Sequence, residues 1–316
     1  MCQNLFVISK YRMVLIGAMT AVRMRSVAIV LVATTLWGFI GVLIRGLSDL
    51  GLDSLQINGA RSWISLIMLA VILFLYDRSL FRIGRRDIPV LLFAAAAKLM
   101  MDICYVQAQV MLSLSLAAVL LSADCYFTLI LSFFMYRSGV TPLRVLAVFV
   151  GFFGCALMMG ILSGEMGEFE PLGLAVGICS AVFGAMYTIG LKKGMDRSID
   201  PTTVLLYVFL FGSFMILPFM DPIGTTAAVF SGWDSIGLLL ILGFFFTLVP
   251  YYLYSTGLKN LEPSTINVLL FMEVAMAAVA GMMVYGEMLT AADFIGLGMI
   301  LTSIIMVEKG KPEESD

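Results

Sequence analysis

Four ionisable residues, Lys98, Asp102, Asp124 and Glu273, stand inside long apolar runs. A Lys or Asp at the centre of a membrane helix costs roughly 2.5–3.5 kcal/mol on insertion scales, so such groups face a bundle interior or a watery path. Lys98 and Asp102 are four apart, hence on one face of a helix, and can neutralise each other. Lys98 can instead reach Asp124, because a tight turn returns the next run to similar depth, and Asp124 is the partner first expected. Either choice leaves one acid over, and Glu273 has no basic residue in any run to answer it. An acid left in this way can give up a proton as a cation binds, so proton coupling through Asp124 or Glu273 is one hypothesis. The other reading makes both acids hydrogen-bonded glue between helices. Trp37, Tyr251 and Tyr252 suit a cationic or planar substrate, and equally suit plain packing. Gln107 and Asn267, near run ends, can bond either a substrate or a neighbouring helix.

Other chemistries are excluded by what is missing. The chain has no histidine, which removes Ser/His and Cys/His catalysis, the HExxH zinc motif and histidine ligation of haem. Neither a GxxxxGK[ST] loop nor a GxGxxG turn occurs, and the five cysteines make no CxxC pair. The expectation is therefore a protein that is not an enzyme and takes no cofactor, metal or nucleic acid. A membrane-embedded enzyme or a receptor remains the alternative, although no GxGD-type motif supports the former.

The elements that must hold these groups are membrane helices. Of 316 residues, 61% are hydrophobic and only 13% charged, against about a quarter charged in ordinary soluble chains. A crossing helix needs about 20 mostly apolar residues. Ten runs qualify: Ser26–Leu47, Ser62–Tyr76, Ile88–Val110, Ser115–Tyr136, Leu143–Leu162, Leu172–Leu191, Thr202–Met220, Ile236–Leu258, Ser264–Tyr285 and Ala291–Val307, the second being short unless it takes in Ile57 to Arg61. With a cytoplasmic N-terminus, Lys10, Arg12, Arg23, Arg25, Arg78, Arg82, Arg85, Arg86, Arg137, Arg144, Lys192, Lys193, Arg197, Lys259, Lys309 and Lys311 all fall inside. Outside lie only Arg45 and Arg61, at run ends, and the acidic stretch GEMGEFEPL. The positive-inside rule then puts both termini in the cytoplasm of an all-α, multi-pass protein of the cell membrane, a bacterial inner membrane being expected.

The second half repeats the first at a shift of 149 residues. Ser115 meets Ser264, Val119–Leu121 meets Val268–Leu270, Tyr105 meets Tyr254, and Asp124 meets Glu273. Thr247 and Tyr251 take the places of Lys98 and Asp102, so the charges concentrate in the first half. Five spans per half is odd, which gives a 5+5 inverted-topology repeat, an arrangement recurrent in secondary transporters with the site near the midplane. Both acids lie about 13 Å into their spans by the helical rise. The organisation expected is an extension over 1–25, a first unit over 26–162, an extracytoplasmic acidic linker over 163–171, a second unit over 172–308 and a tail over 309–316.

Several motifs carry a family resemblance. LWGFIGVLIR in the first span, Arg61 opening the second, and SLSLAAVLL leading into the fourth occur in order. YYLYSTGLKNLEPSTINVLLFMEV then covers spans eight and nine, followed by YGEMLT. In these the chain resembles the ten-helix, EamA-type branch of the drug/metabolite transporter superfamily. The resemblance implies an exporter of amino acids, metabolites, drugs or nucleotide-linked compounds, with a central cavity lined by spans 1, 3, 4, 6, 8 and 9. This sequence departs from the family where a proline usually follows the acid of span nine: Val274 stands there, and Cys125 at the matching place in span four. The family's glutamate after span nine is kept as Glu287, whereas Ser138 stands at the equivalent place after span four.

The resulting expectation is an alternating-access exporter of a small polar or cationic metabolite, amino-acid-like compound or drug, with Trp37, Lys98, Asp102, Asp124, Tyr251 and Glu273 lining its cavity. Its partners are the small-molecule substrate, the lipid bilayer and, on the coupling hypothesis, protons. Nothing in the residues selects an oligomeric state.

Overall fold

The computed structural model describes residues 21–112, 114–136, 141–160, 170–230, 232–286 and 288–309. Lys10, Arg12, Arg137, Ser138, Glu287, Lys311 and most of the acidic linker lie outside the described residues. Among the described residues there is no strand. Helix occurs in each of the ten apolar runs, and the helices are numbered accordingly. They are α1 (Ala21–Asp49), α2 (Ser54–Tyr76), α3 (Ile88–Met111), α4 (Leu114–Ser122 and Asp124–Tyr136), α5 (Pro142–Met158) and α6 (Pro171–Asp196). After α7 (Pro201–Ile216) a short helix, Pro222–Val229, leads to α8 (Trp233–Asn260), α9 (Pro263–Tyr285) and α10 (Ala291–Lys309). Among the described residues, seven helices are long and apolar enough to cross a membrane, while Pro142–Met158, Pro201–Ile216 and Ala291–Val307 are shorter apolar helices.

Local chemistry sets the starts. Prolines open α5, α6, α7, the short helix and α9, where the missing N–H costs nothing because no carbonyl precedes it in the helix. At α2 a capping box takes over: Asp53 accepts from the N–H groups of Leu55 and Gln56 at 2.8 Å, and Gln56 accepts from the Asp53 N–H at 3.0 Å. The helix therefore begins eight residues before the expected start at Ser62 and takes Arg61 inside it. Gly286, at a φ of 68° that favours glycine, closes α9.

Three helices are interrupted. In α1 the chain tightens at Phe39, whose N–H bonds back three residues to Leu36. In α4 the break falls at Ala123, immediately before Asp124, with no proline present. The Ser122 hydroxyl bonds the Ala118 carbonyl at 2.9 Å and competes for the ladder at that point. In α8, Phe244–Leu248 is a π-segment, entered where the Gly243 carbonyl is drawn to the Ser65 hydroxyl of α2 at 2.7 Å. The α9 helix, by contrast, runs unbroken past Glu273 and Val274.

Cross-links at one end fix the helix directions. Arg197 at the end of α6 donates to the Arg86 carbonyl before α3, and Tyr207 of α7 donates to the Phe81 carbonyl after α2. Lys192 of α6 reaches the last carbonyls of α8, Asn260 of α8 donates to Ser26 of α1, and Arg144 of α5 pairs with Glu262 before α9. The same end thus carries Arg78, Arg82, Arg85, Arg86, Arg144, Lys192, Lys193, Arg197 and Lys259, whereas Asp49, Asp53, Asp221 and Asp234 lie at the other.

Between the halves the contacts come in exchanged pairs. Helix α3 packs on α6 and α7; α8 packs on α1 and α2. Helix α4 packs on α6, α9 packs on α1, and α5 lies along α10. Glycines allow the closest of these approaches, Gly190 and Gly194 of α6 against Ala94 and Leu91 of α3, and Gly154 of α5 against Gly296 of α10. The largest buried apolar cluster, with Leu69, Leu91, Leu191, Leu205, Leu258 and Ile266, seals the basic end. Apolar residues such as Ile67 and Leu75 of α2, Phe153 of α5 and Ile295 of α10 point outward, as lipid-facing residues must.

Candidate functional site

Two groups of residues meet in the middle of this bundle. The first is built on α3 and α8. Lys98 donates to Asp102 Oδ2 at 2.7 Å, and both side chains are nearly buried. The expected contact of Lys98 with Asp124 is not formed, because α6 lies between α3 and the second segment of α4. A Cβ on Gly184 of α6 would meet both Asp124 and, at 3.4 Å, the Met101 sulfur of α3.

Above the ion pair lies a layer of rings. Lys98 Nζ sits 5.4 Å from the centre of Tyr251, within cation–π range. Tyr251 meets Trp37 edge-on at 4.9 Å and also touches Tyr187 and Phe209. Trp37 in turn contacts Tyr254 at 5.6 Å, and the Tyr254 hydroxyl shares a hydrogen bond with Thr188 at 3.0 Å. Tyr252 turns away and is exposed on the outside. A small cleft between α2, α3 and α7 reaches the ion pair, lined by Ser62, Lys98, Asp102, Phe209, Ser213 and Ile216.

The second group holds the two acids. Asp124 opens the second segment of α4, half-buried, beside Asn267 of α9 and close enough to Glu273 for their charges to act on each other. Asn267 is 1% exposed and donates to Thr128 at 2.9 Å, so it ties α9 to α4 next to the acid. Gln107 is exposed and apart from the site. Under Glu273 lies Gly38 of α1, where a Cβ would come within 2.9 Å of the Glu273 carbonyl oxygen. Under Asp124, a Cβ on Gly184 would stand 3.3 Å from the aspartate Cβ. A glycine on the opposite half therefore lets each acid-bearing helix come close.

Three residues outside the expected set adjoin the groups. Tyr254 touches the ring layer and lies within electrostatic reach of Asp124; Tyr105 lies within reach of Glu273. Arg61 acts on both Glu273 and Lys98. Glu273 thus has a basic neighbour after all. With Arg61 read at the edge of its span this neighbour is not expected, and the signal that brings it inside is the capping box Asp53–Gln56. Trp37, Lys98, Asp102 and Tyr251 are brought into direct contact; Asp124 and Glu273 form a second centre, and Tyr254 and Arg61 bridge the two.

Set beside known proteins, the chain matches a model of the EamA-like transporter family twice, over residues 24–160 and 171–308. The chain belongs to the EamA-like transporter family. It is a membrane transporter of the multi-pass, drug/metabolite type, and not an enzyme. An uncharacterized transporter of Archaeoglobus fulgidus is 25% identical over 90% of this chain and 99% of its own length. The threonine/homoserine exporter RhtA of Escherichia coli K12 is 32% identical over 42% of each chain. A crystal structure 14% identical in sequence superposes with a TM-score of 0.75 over 90% of this transporter and 96% of that chain, a likeness of fold. The substrate of such a transporter is a small molecule and its surroundings are the bilayer.

Proposed function

We propose that the protein is a secondary active transporter that exports a small polar or cationic metabolite, amino-acid-like compounds included, by alternating access across a bacterial inner membrane. Ten spans, arranged as inverted five-helix units over 26–162 and 172–308, place both termini in the cytoplasm, and Trp37, Lys98, Asp102, Asp124, Tyr251 and Glu273 line the passage. The observation that carries the reading is that Asp124 and Glu273, equivalent residues of the two halves, are both half-buried on helices α4 and α9, which pack against each other. The exchanged packing pairs and the double family match support the inverted repeat. The basic end supports the orientation. The name of the RhtA relative supports an amino-acid-like substrate.

The test is counterflow of labelled L-threonine and L-homoserine into proteoliposomes of the purified chain. Counterflow above that of empty vesicles, reduced at least tenfold in Asp124→Asn or Glu273→Gln, is expected. Equal rates in the variants would remove the acids from the passage. A rate indifferent to a pH gradient would remove proton coupling.

A further inference from the structure

Arg61 is set up to receive something that the protein does not itself provide. The capping box at Asp53 starts α2 early enough that Arg61 lies about 10 Å along the helix, well past its end. Its Nε donates to Asn58 Oδ1 at 2.8 Å, and Asn58 is itself 5% exposed, so one edge of the guanidinium is held. The fork of terminal NH2 groups makes no hydrogen bond to the described residues, and among them no carboxylate lies within ion-pair distance of Arg61. Asp102 is already taken by Lys98. The side chain is half-buried, not sealed, and its charge is felt at Glu273 and at Lys98, one in each centre of the site.

A guanidinium fork of this kind matches a carboxylate bidentately, which a lysine cannot do. The opposite pole, Asp124 with Glu273, matches an ammonium group. A simple amine entering the site would satisfy the acids but be repelled by Arg61. A simple carboxylate would satisfy Arg61 but face both acids. Only a molecule that carries both charges answers both poles, so the pair of poles discriminates by repulsion as well as attraction.

We infer that Arg61 recognises the substrate's carboxylate and, with Asp124 and Glu273, selects small zwitterions of the α-amino-acid type over amines that lack a carboxylate. This rests on the transport reading above and narrows its substrate class. The experiment compares labelled L-threonine with labelled 1-amino-2-propanol, the same molecule without its carboxylate, in counterflow by the full chain and by Arg61→Gln and Arg61→Lys. The wild type is expected to favour threonine. In Arg61→Gln that preference should fall at least tenfold, through loss of threonine transport and with transport of the amine kept or raised. Arg61→Lys, which keeps the charge but not the fork, should fall between. An unchanged preference in Arg61→Gln, or loss of both compounds in equal proportion from a monodisperse variant, would overturn the inference and leave the transport reading standing. Wild-type vesicles that move neither compound would overturn that reading, and the inference with it.

Discussion

Tyr254 of α8 lies within electrostatic reach of Asp124 of α4, on the opposite half of the molecule. The residues that match these two at the shift of 149, Tyr105 and Glu273, repeat the relationship with the halves exchanged. Each acid is thus attended by the tyrosine of the other half. Only Tyr254 is closed in, at 2% exposure with its hydroxyl on Thr188.

This reciprocity predicts coupling. Tyr254→Phe should lower L-threonine counterflow several-fold, consistent with the loss of about 1 kcal/mol typical of one hydrogen bond. Once Asp124→Asn is present, the same change should have little further effect. Strict additivity in the double-mutant cycle would show that the two residues act independently.

The Lys98–Asp102 pair predicts an asymmetry in stability. Removing one partner strands a buried charge, at a cost of about 3–5 kcal/mol, whereas replacing both with apolar residues is often neutral. Thermal unfolding of the purified protein should therefore rank Lys98→Met and Asp102→Leu each below the double variant. A double variant less stable than either single one would contradict the pairing.

Gly38 and Gly41 predict opposite responses to alanine. At Gly38 the new Cβ would press on the Glu273 carbonyl and the Ala277 N–H, both at 2.9 Å and both backbone, so α1 and α9 must part. At Gly41 nothing lies within 4 Å. Gly38→Ala should destabilise by about 1–3 kcal/mol, and Gly41→Ala should leave the melting temperature unchanged or raise it slightly.

The cap on α2 predicts a distant effect on the site. Asp53→Ala removes the acceptor for two N–H groups and should cost about 1 kcal/mol. Because that turn precedes Asn58 and Arg61, threonine counterflow should weaken too, and Asp53→Ser should restore both. A melting temperature lowered without any change in counterflow would separate the cap from the arginine.

Much of this architecture was legible in the residues, and the failures have physical causes. The apolar runs and the alternation of arginine and lysine were enough to locate the helices and the basic end, because lipid allows few other patterns. The start of α2 was missed because Asn58, Gly59 and Arg61 break its hydropathy; the capping box, a local signal, overrides them. The sequence leaves Lys98 a choice between Asp102 and Asp124 for a different reason. Depth along a helix follows from sequence, but which helix lies beside it does not, and α6 takes the place between α3 and the lower part of α4. The break at Ala123 has no proline to announce it, so only the structure reveals that Asp124 begins a new helical segment.

The ring layer has no twin. At the shift of 149, Tyr251, Tyr187 and Phe209 correspond to Asp102, Gly38 and Ala60, and within the ring layer only Tyr254 finds an aromatic counterpart, in Tyr105. Two halves that share one plan have therefore furnished their two doorways differently. On the alternating-access reading proposed above, one half closes the passage on stacked rings, and the equivalent positions of the other have little more than Tyr105 to work with. On that reading the outward and return strokes are unequal, and the resting bias follows from three side-chain differences between otherwise matching helices.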